Sequence, residues 1–424
     1  MRSLRYAATY IVKWVVIASV VGAAGGIAAV ILRTIIEQVA RHTVFLPLWL
    51  APAVGGLLVM WICFWDFDAA GFGTDRYIVS VNRRHGDMRR KTAFTKLAAT
   101  GITLGFRGSG GVEGPMVVIG GSIANVIDHV PGVRRLLSDH DRRILTICGA
   151  AGSIGAVFHS PLAGGIFAVE VLYRSSLHYA DLFPAMLSSS MGFVAYGLLR
   201  QAAPLFSIPD YIPDVGNVPY FLLAGVVSGF ASLLFVRVFS GVSGAFRRLP
   251  RSGFHPVMGG LGAGLVLVLA PDAAGIGIDV IQDLIFTVQP VAFLLMLLIV
   301  KILATAFTIG SGGSAGLVIP ALFIGAVCGN VIAGVLSVED PGLVASLVIS
   351  GMAASLAGVA NVPVSAAVLL VEMVGLRLGV PATLGAVTGY VIGKGRVIYG
   401  DAYGHDADFL ESRAIQDLDR SVDH

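Results

Sequence analysis

Stretches of this chain that carry no charged residue over a length that can cross a bilayer include Trp14 to Leu32, Val44 to Trp65, Val218 to Val236 and Pro341 to Val371. A membrane-spanning helix needs about 20 apolar residues. The last run is too long for one straight helix and contains Pro363 and several glycines, so it reads as two elements joined by a turn. Charged residues make up 13% of the 424, against about 25% in an ordinary soluble domain. The expected class is therefore an all-α polytopic membrane protein. The first run follows "MRSLRY" but exceeds the apolar part of a signal peptide and has no small-residue cleavage site, so it reads as a retained span.

Several function classes drop out early. Cys63, Cys148 and Cys328 lie in apolar surroundings at spacings that suggest neither a disulfide framework nor a zinc site. The net charge of +3 gathers in "NRRHGDMRRK", "VRRLLSDHDRR" and "FRRLPR"; in a membrane protein such clusters mark cytoplasmic loops rather than a nucleic-acid site. No zinc-protease HEXXH pattern and no phosphate loop with GK[ST] occurs. No enzyme activity, cofactor or metal is expected. The tail from Asp401 to His424 is too short to bury a core.

The two halves of the chain resemble each other. "KLAATGITLG" at Lys96–Gly105 matches "KILATAFTIG" at Lys301–Gly310 in five of ten positions, 205 residues apart. "GAAGSIGAVFHSPLAGGIFAVE" at Gly149–Glu170 matches Gly351–Glu372 in seven positions, including Pro161/Pro363 and Glu170/Glu372, 202 residues apart. "GSGG" recurs at Gly108 and Gly310, each followed by a proline, Pro115 and Pro320, and a glycine, Gly120 and Gly325. The expected organisation is a first transmembrane repeat over residues 1–205, a second over 206–400 and a short tail over 401–424 without a cytoplasmic domain of its own.

Matched glycine–proline breaks point to a site. Non-helical backbone is tolerated at membrane depth only where protein buries it or it lines a wet cavity. A helix that begins there aims its free N–H groups, and the positive end of its dipole, at the break. "GVEGP" at Gly111 and "GLVIP" at Gly316 both place proline in a first helical turn. Two helix N-termini could thus converge on one small anion. Glu113 would sit in that gap, a tethered carboxylate competing for the same N–H groups, and protonation would release it.

These residues resemble the ClC family of chloride channels and proton-coupled chloride antiporters over nearly the whole chain. The resemblance implies two inverted repeats of broken, tilted helices, a multi-pass protein of the cell (inner) membrane, and a homodimer with one pathway per subunit. The family's G-K/R-E-G-P motif matches Gly111-Val112-Glu113-Gly114-Pro115, without the basic residue, and gives Glu113 the external gate. Its G-S-G-I-P motif matches Gly71-Phe72-Gly73-Thr74-Asp75, with Phe72 in place of the anion-coordinating serine. A phenyl ring donates no O–H bond and offers an anion only its weakly positive edge. The G-x-F-x-P motif matches Gly316-Leu317-Val318-Ile319-Pro320, and the late pore tyrosine matches Tyr399, with Tyr403 as second candidate. The implied anion-binding set is Phe72, Gly73, Val112, Gly114, Leu317, Val318 and Tyr399.

Family antiporters commonly carry an internal glutamate one position after Glu170, where this chain has Val171. That departure favours a passive channel for chloride gated by Glu113. The alternative is a proton-coupled antiporter for chloride or another halide such as fluoride. Glu170 and Glu372 are expected to cap or hydrogen-bond helix ends; Lys96 and Lys301 either hold structure or lend positive potential to a vestibule. Residues 180–199 and the run "PALFIGAVCGNVIAGV" from Pro320 are the expected subunit contacts.

Overall fold

The computed structural model describes residues 2–173, 178–201, 203–250, 253–395 and 398–399. Within them the chain forms α1 (Arg2–His42), α2 (Ala51–Trp65), α3 (Thr74–Arg83), α4 (Thr92–Gly105), α5 (Glu113–Asp128), α6 (Pro131–Arg134), α7 (Asp139–Val157), α8 (Ala163–Glu170) and α9 (Tyr179–Leu199). It continues with α10 (Val218–Arg248), α11 (His255–Leu267), α12 (Ile278–Phe286), α13 (Val291–Gly310), α14 (Val318–Val335), α15 (Pro341–Ala360), α16 (Pro363–Val374) and α17 (Gly379–Gly393). Among the described residues seven helices are long and apolar enough to cross a membrane, and α2, α11 and α16 are shorter apolar helices. The protein is an all-α, multi-pass integral membrane protein.

Local chemistry sets many boundaries. Ser138 and Asp141 form a capping box at the start of α7. Asp340 caps α15 by accepting from Gly342 N at 2.9 Å, and Asn361 ends that helix at φ +60°. Pro341 and Pro363 open α15 and α16, so the long run from Pro341 to Val371 is indeed two helices. The run from Val44 is less helical than its hydropathy implies: Thr43–Pro47 is occupied by turns, and the helix begins only at Ala51.

The two halves repeat helix by helix. α1 packs on α9, α5 on α7 and α7 on α9; correspondingly α10 packs on α17, α14 on α15 and α15 on α17. Between halves, α2 meets α11, α5 meets α14 and α8 meets α16, each helix touching its own counterpart. That self-complementary pattern belongs to a two-fold axis. The axis passes between Gly111 and Gly316, which exchange backbone hydrogen bonds of 2.8 and 2.6 Å. α5 and α14 both start beside it and lead away, so equivalent helices of the two repeats are inverted.

Side chains cross the axis in matched pairs. Ser109 N donates to Thr308 Oγ1 at 3.2 Å, and Ser314 N to Thr103 Oγ1 at 3.1 Å. The hydroxyls of Ser109 and Thr305, and of Ser314 and Thr100, each share a bond of 2.9 Å. These contacts correct the register of the glycine-rich turns: Gly108 corresponds to Gly313, not Gly310, since Gly108 N bonds Thr103 O and Gly313 N bonds Thr308 O. Close helix crossings obey the same symmetry. A Cβ on Gly325 would come within 2.5 Å of the Gly351 carbonyl carbon, and Gly120 is similarly pressed against Gly149.

The expected subunit contact over Pro320–Val335 is not available. Nearly all of α14 is buried within the subunit, because α10, α12, α13 and α15 pack around it. α9, by contrast, keeps Phe183, Val194, Leu198 and Leu199 exposed.

Glu170 and Glu372 staple the halves by exchanging caps. Glu372 accepts from Leu162 N at 3.0 Å and Ala163 N at 2.8 Å at the start of α8. Glu170 accepts from Val364 N at 3.0 Å and Ser365 N at 2.7 Å at the start of α16, and from the Ser365 hydroxyl. Glu372→Ala strands two N–H groups and is expected to cost about 1–3 kcal/mol, read as a lower thermal unfolding midpoint in detergent, with Glu170→Ala giving a comparable loss.

Candidate functional site

The gap between the N-termini of α5 and α14 is filled by one side chain. Glu113 Oε1 accepts from Val318 N at 2.5 Å, while Oε2 is buried without a hydrogen-bond partner among the described residues. The carboxylate fits only because its neighbours lack side chains: a Cβ on Gly316 would lie 2.5 Å from Glu113 Cδ, and one on Gly111 2.8 Å from it. Val318 stands in the second half where Glu113 stands in the first, so the acid is the element that breaks the symmetry of this crossing.

The sequence-derived site residues gather here. Val112 and Leu317 are the N-cap residues of α5 and α14 and are buried. Gly114 lies against the Phe72 carbonyl so tightly that a Cβ would collide with it. Gly73 caps α3 at φ +86°, a conformation glycine adopts freely. The Phe72 ring lies 5.7 Å from the Tyr399 ring and 6.0 Å from the Phe239 ring, with Phe235 beyond at 6.3 Å from Phe239. Three rings thus close one side of the crossing, and Phe239 had no sequence signal beyond an apolar helix position. Tyr403 lies outside the described residues.

Both buried lysines hold the loops that feed this region. Lys96 Nζ donates to the carbonyls of Ala69, Ala70 and Gly71 at 3.1, 3.3 and 2.7 Å. Lys301 Nζ donates to Ala273, Gly275 and Ile276 at 3.1, 3.2 and 3.4 Å. The same loops carry a further repeat: "AAGFGTD" at Ala69–Asp75 and "AAGIGID" at Ala273–Asp279 share five of seven residues. The expectation that the chain has no GxSxG run is wrong: one stands at Gly312–Gly316, where Ser314 is buried against Thr100 and ties the halves together.

Two cavities approach the crossing. One of about 740 Å³ is lined by the ends of α1, α4, α7 and α9, by residues 271–280, and by Val112 and Ile319 beside Glu113. The other, of about 350 Å³, is lined by α3, by Asp68 and Arg89, and by Val118 and Ser122 of α5. Arg76, Arg84 and Arg89 line the smaller cavity, which marks its end of the bundle as the cytoplasmic side. The larger cavity is then the outer vestibule.

A family profile described as "Voltage gated chloride channel" matches residues 55–394. The chain belongs to the ClC family. "Uncharacterized protein MJ0305" of Methanocaldococcus jannaschii is 30% identical over 92% of this chain and 95% of its own. The "H(+)/Cl(-) exchange transporter ClcA" of Vibrio vulnificus is 29% identical over 70% of this chain and 66% of its own. A solved structure described as a slow cyanobacterial Cl−/H+ antiporter superposes with a TM-score of 0.80 at 20% identity, covering 95% of this chain and 98% of that one. The ClC fold and a role in anion transport follow.

The aromatic cluster generates a direct test. Phe72→Ser supplies an O–H donor where the family motif has one and is expected to tighten chloride binding about tenfold, the worth of about 1.5 kcal/mol for a hydrogen bond to a charged group. Isothermal titration calorimetry with chloride reads the change.

Proposed function

We propose that this protein is a proton-coupled anion antiporter, carrying chloride or another small halide against protons, with Glu113 as both gate and proton carrier. One observation carries the reading: the Glu113 carboxylate occupies an N–H donor at the meeting point of two helix N-termini, with its second oxygen buried and unpartnered among the described residues. An anion needs the same donors, so carboxylate and anion exclude each other. A proton on that second oxygen cancels the charge and frees the donors. Anion entry is then linked to proton uptake at one atom. The exchanger named among the relatives supports this reading.

A passive channel is the second reading, favoured by Val171 at the place of the family's internal acid and by the family description itself. In either case the site set is Glu113, the backbone of Val112, Gly114, Leu317 and Val318, and the Phe72–Gly73–Tyr399 wall. We further propose a homodimer in which the exposed apolar face of α9 meets its copy.

Chloride-loaded liposomes with a potassium ionophore separate the two readings. An antiporter drives protons uphill as chloride leaves, and Glu113→Gln abolishes that proton movement while chloride still flows. Chloride efflux from the wild-type protein with no proton movement would sink the antiport reading and leave a channel.

A further inference from the structure

The outer vestibule contains a buried base that the crossing itself does not use. His159 follows α7 and is 9% exposed, with a left-handed backbone at φ +53°. Its Nδ1 lies 2.6 Å from the Ala203 carbonyl oxygen. A carbonyl only accepts, so Nδ1 carries the hydrogen, and in the neutral ring Nε2 holds a bare lone pair. That Nε2 is buried with no hydrogen-bond partner among the described residues. The ring lines the same vestibule as Val112 and Ile319, which flank Glu113.

Charged groups surround this ring. From α1, Arg33 and Glu37 face the cavity; Asp272 comes from the turn before α12 and Asp279 from the first turn of α12. Arg33 is occupied: its Nε bonds Glu37 at 3.0 Å and its Nη1 bonds Tyr196 Oη at 2.9 Å. Arg200 at the end of α9 also pairs with Glu37, at 2.8 Å. The His159 ring stacks 4.9 Å from Tyr196 and 6.4 Å from Phe193. Glu37 is thus taken up by Arg33 and Arg200, and Asp272 and Asp279 remain in the lining as carboxylates that draw protons toward it.

The repeat supplies an independent argument. Asn361 stands in the second half where His159 stands in the first, and it adopts the same left-handed conformation at φ +60°. Asparagine is among the residues that tolerate this backbone best. Histidine is enriched at such positions as well, so the backbone accepts either side chain, and the titrating ring is a difference the first half alone carries. Burial pushes the His159 imidazole below its ordinary range, with the Ala203 hydrogen bond opposing that and Arg33 adding to it.

We propose that His159 is a proton-binding residue of the outer vestibule that takes up protons from the outer solution and passes them along the cavity to the carboxylate of Glu113. Nε2 accepts a proton from water, and the imidazolium returns that same proton to water in the cavity; Glu113 receives it, and His159 reverts to the neutral ring with hydrogen on Nδ1. The proposal rests on Glu113 being opened by protonation, which the antiporter and the channel share.

His159→Asn keeps an N–H donor for Ala203 and suits the backbone, but removes the titrating nitrogen; His159→Gln is the second variant should the first fail to fold. Both are read in full-length protein in liposomes, following anion efflux and proton movement while outer pH falls from about 7.5 to about 4.5, across the ordinary histidine range. The expected result is that the wild-type rate rises on acidification and that either variant loses about a tenfold part of that rise, the change a single titrating group gives per pH unit. In a Glu113→Gln background the same substitutions should change nothing. An unaltered outer-pH profile, or an effect that persists without Glu113, overturns the proposal. Wild-type protein that moves anions without protons overturns antiport alone, and the anion-efflux profile then still decides His159.

Discussion

Everything in this fold hangs on a short backbone exchange at its centre. Gly111 and Gly316 trade hydrogen bonds, and around them each half satisfies the polar groups of the other: Ser109 with Thr305 and Thr308, Ser314 with Thr100 and Thr103. In lipid an unpartnered amide costs several kcal/mol, so broken helices at membrane depth are stable only if some other chain segment completes them. Here that segment is the second copy of the same motif. The break that creates the site and the contact that closes the fold are one feature.

The same reciprocity extends outward. Glu170 and Glu372 cap each other's neighbouring helices, α16 and α8. Lys96 and Lys301 each set a buried Nζ against three loop carbonyls, whose dipoles hold it. Both loops then present a left-handed glycine, Gly73 and Gly277, before a short helix. A symmetric scaffold of this kind fixes backbone positions to within a hydrogen bond without dictating what any side chain does.

Chemistry resides where the symmetry fails. Glu113 faces Val318, Phe72 corresponds to Ile276, and His159 corresponds to Asn361. Each substitution sits on a backbone conformation shared by the two halves, so the scaffold does not require it. The first half carries the acid, Phe72 and the buried base; the second supplies Phe239, Tyr399 and the N–H donor that holds the acid.

The sequence by itself determined the membrane class, the duplication and the identity of the central acid, because hydropathy, matched spacing and a glycine–proline turn beside a carboxylate are local patterns. It also implied helix-capping roles for Glu170 and Glu372, though not that each caps the opposite half. The register of the glycine-rich turns, the aromatic contacts of Phe72 with Phe239 and Tyr399, and the burial of α14 were not legible, since each depends on residues far apart in the chain meeting at the axis. Hydropathy marks Pro320–Val335 as apolar whether lipid, a second subunit or its own chain covers it. Only the tertiary structure decided among these, because packing, unlike composition, says which surface an apolar face has found.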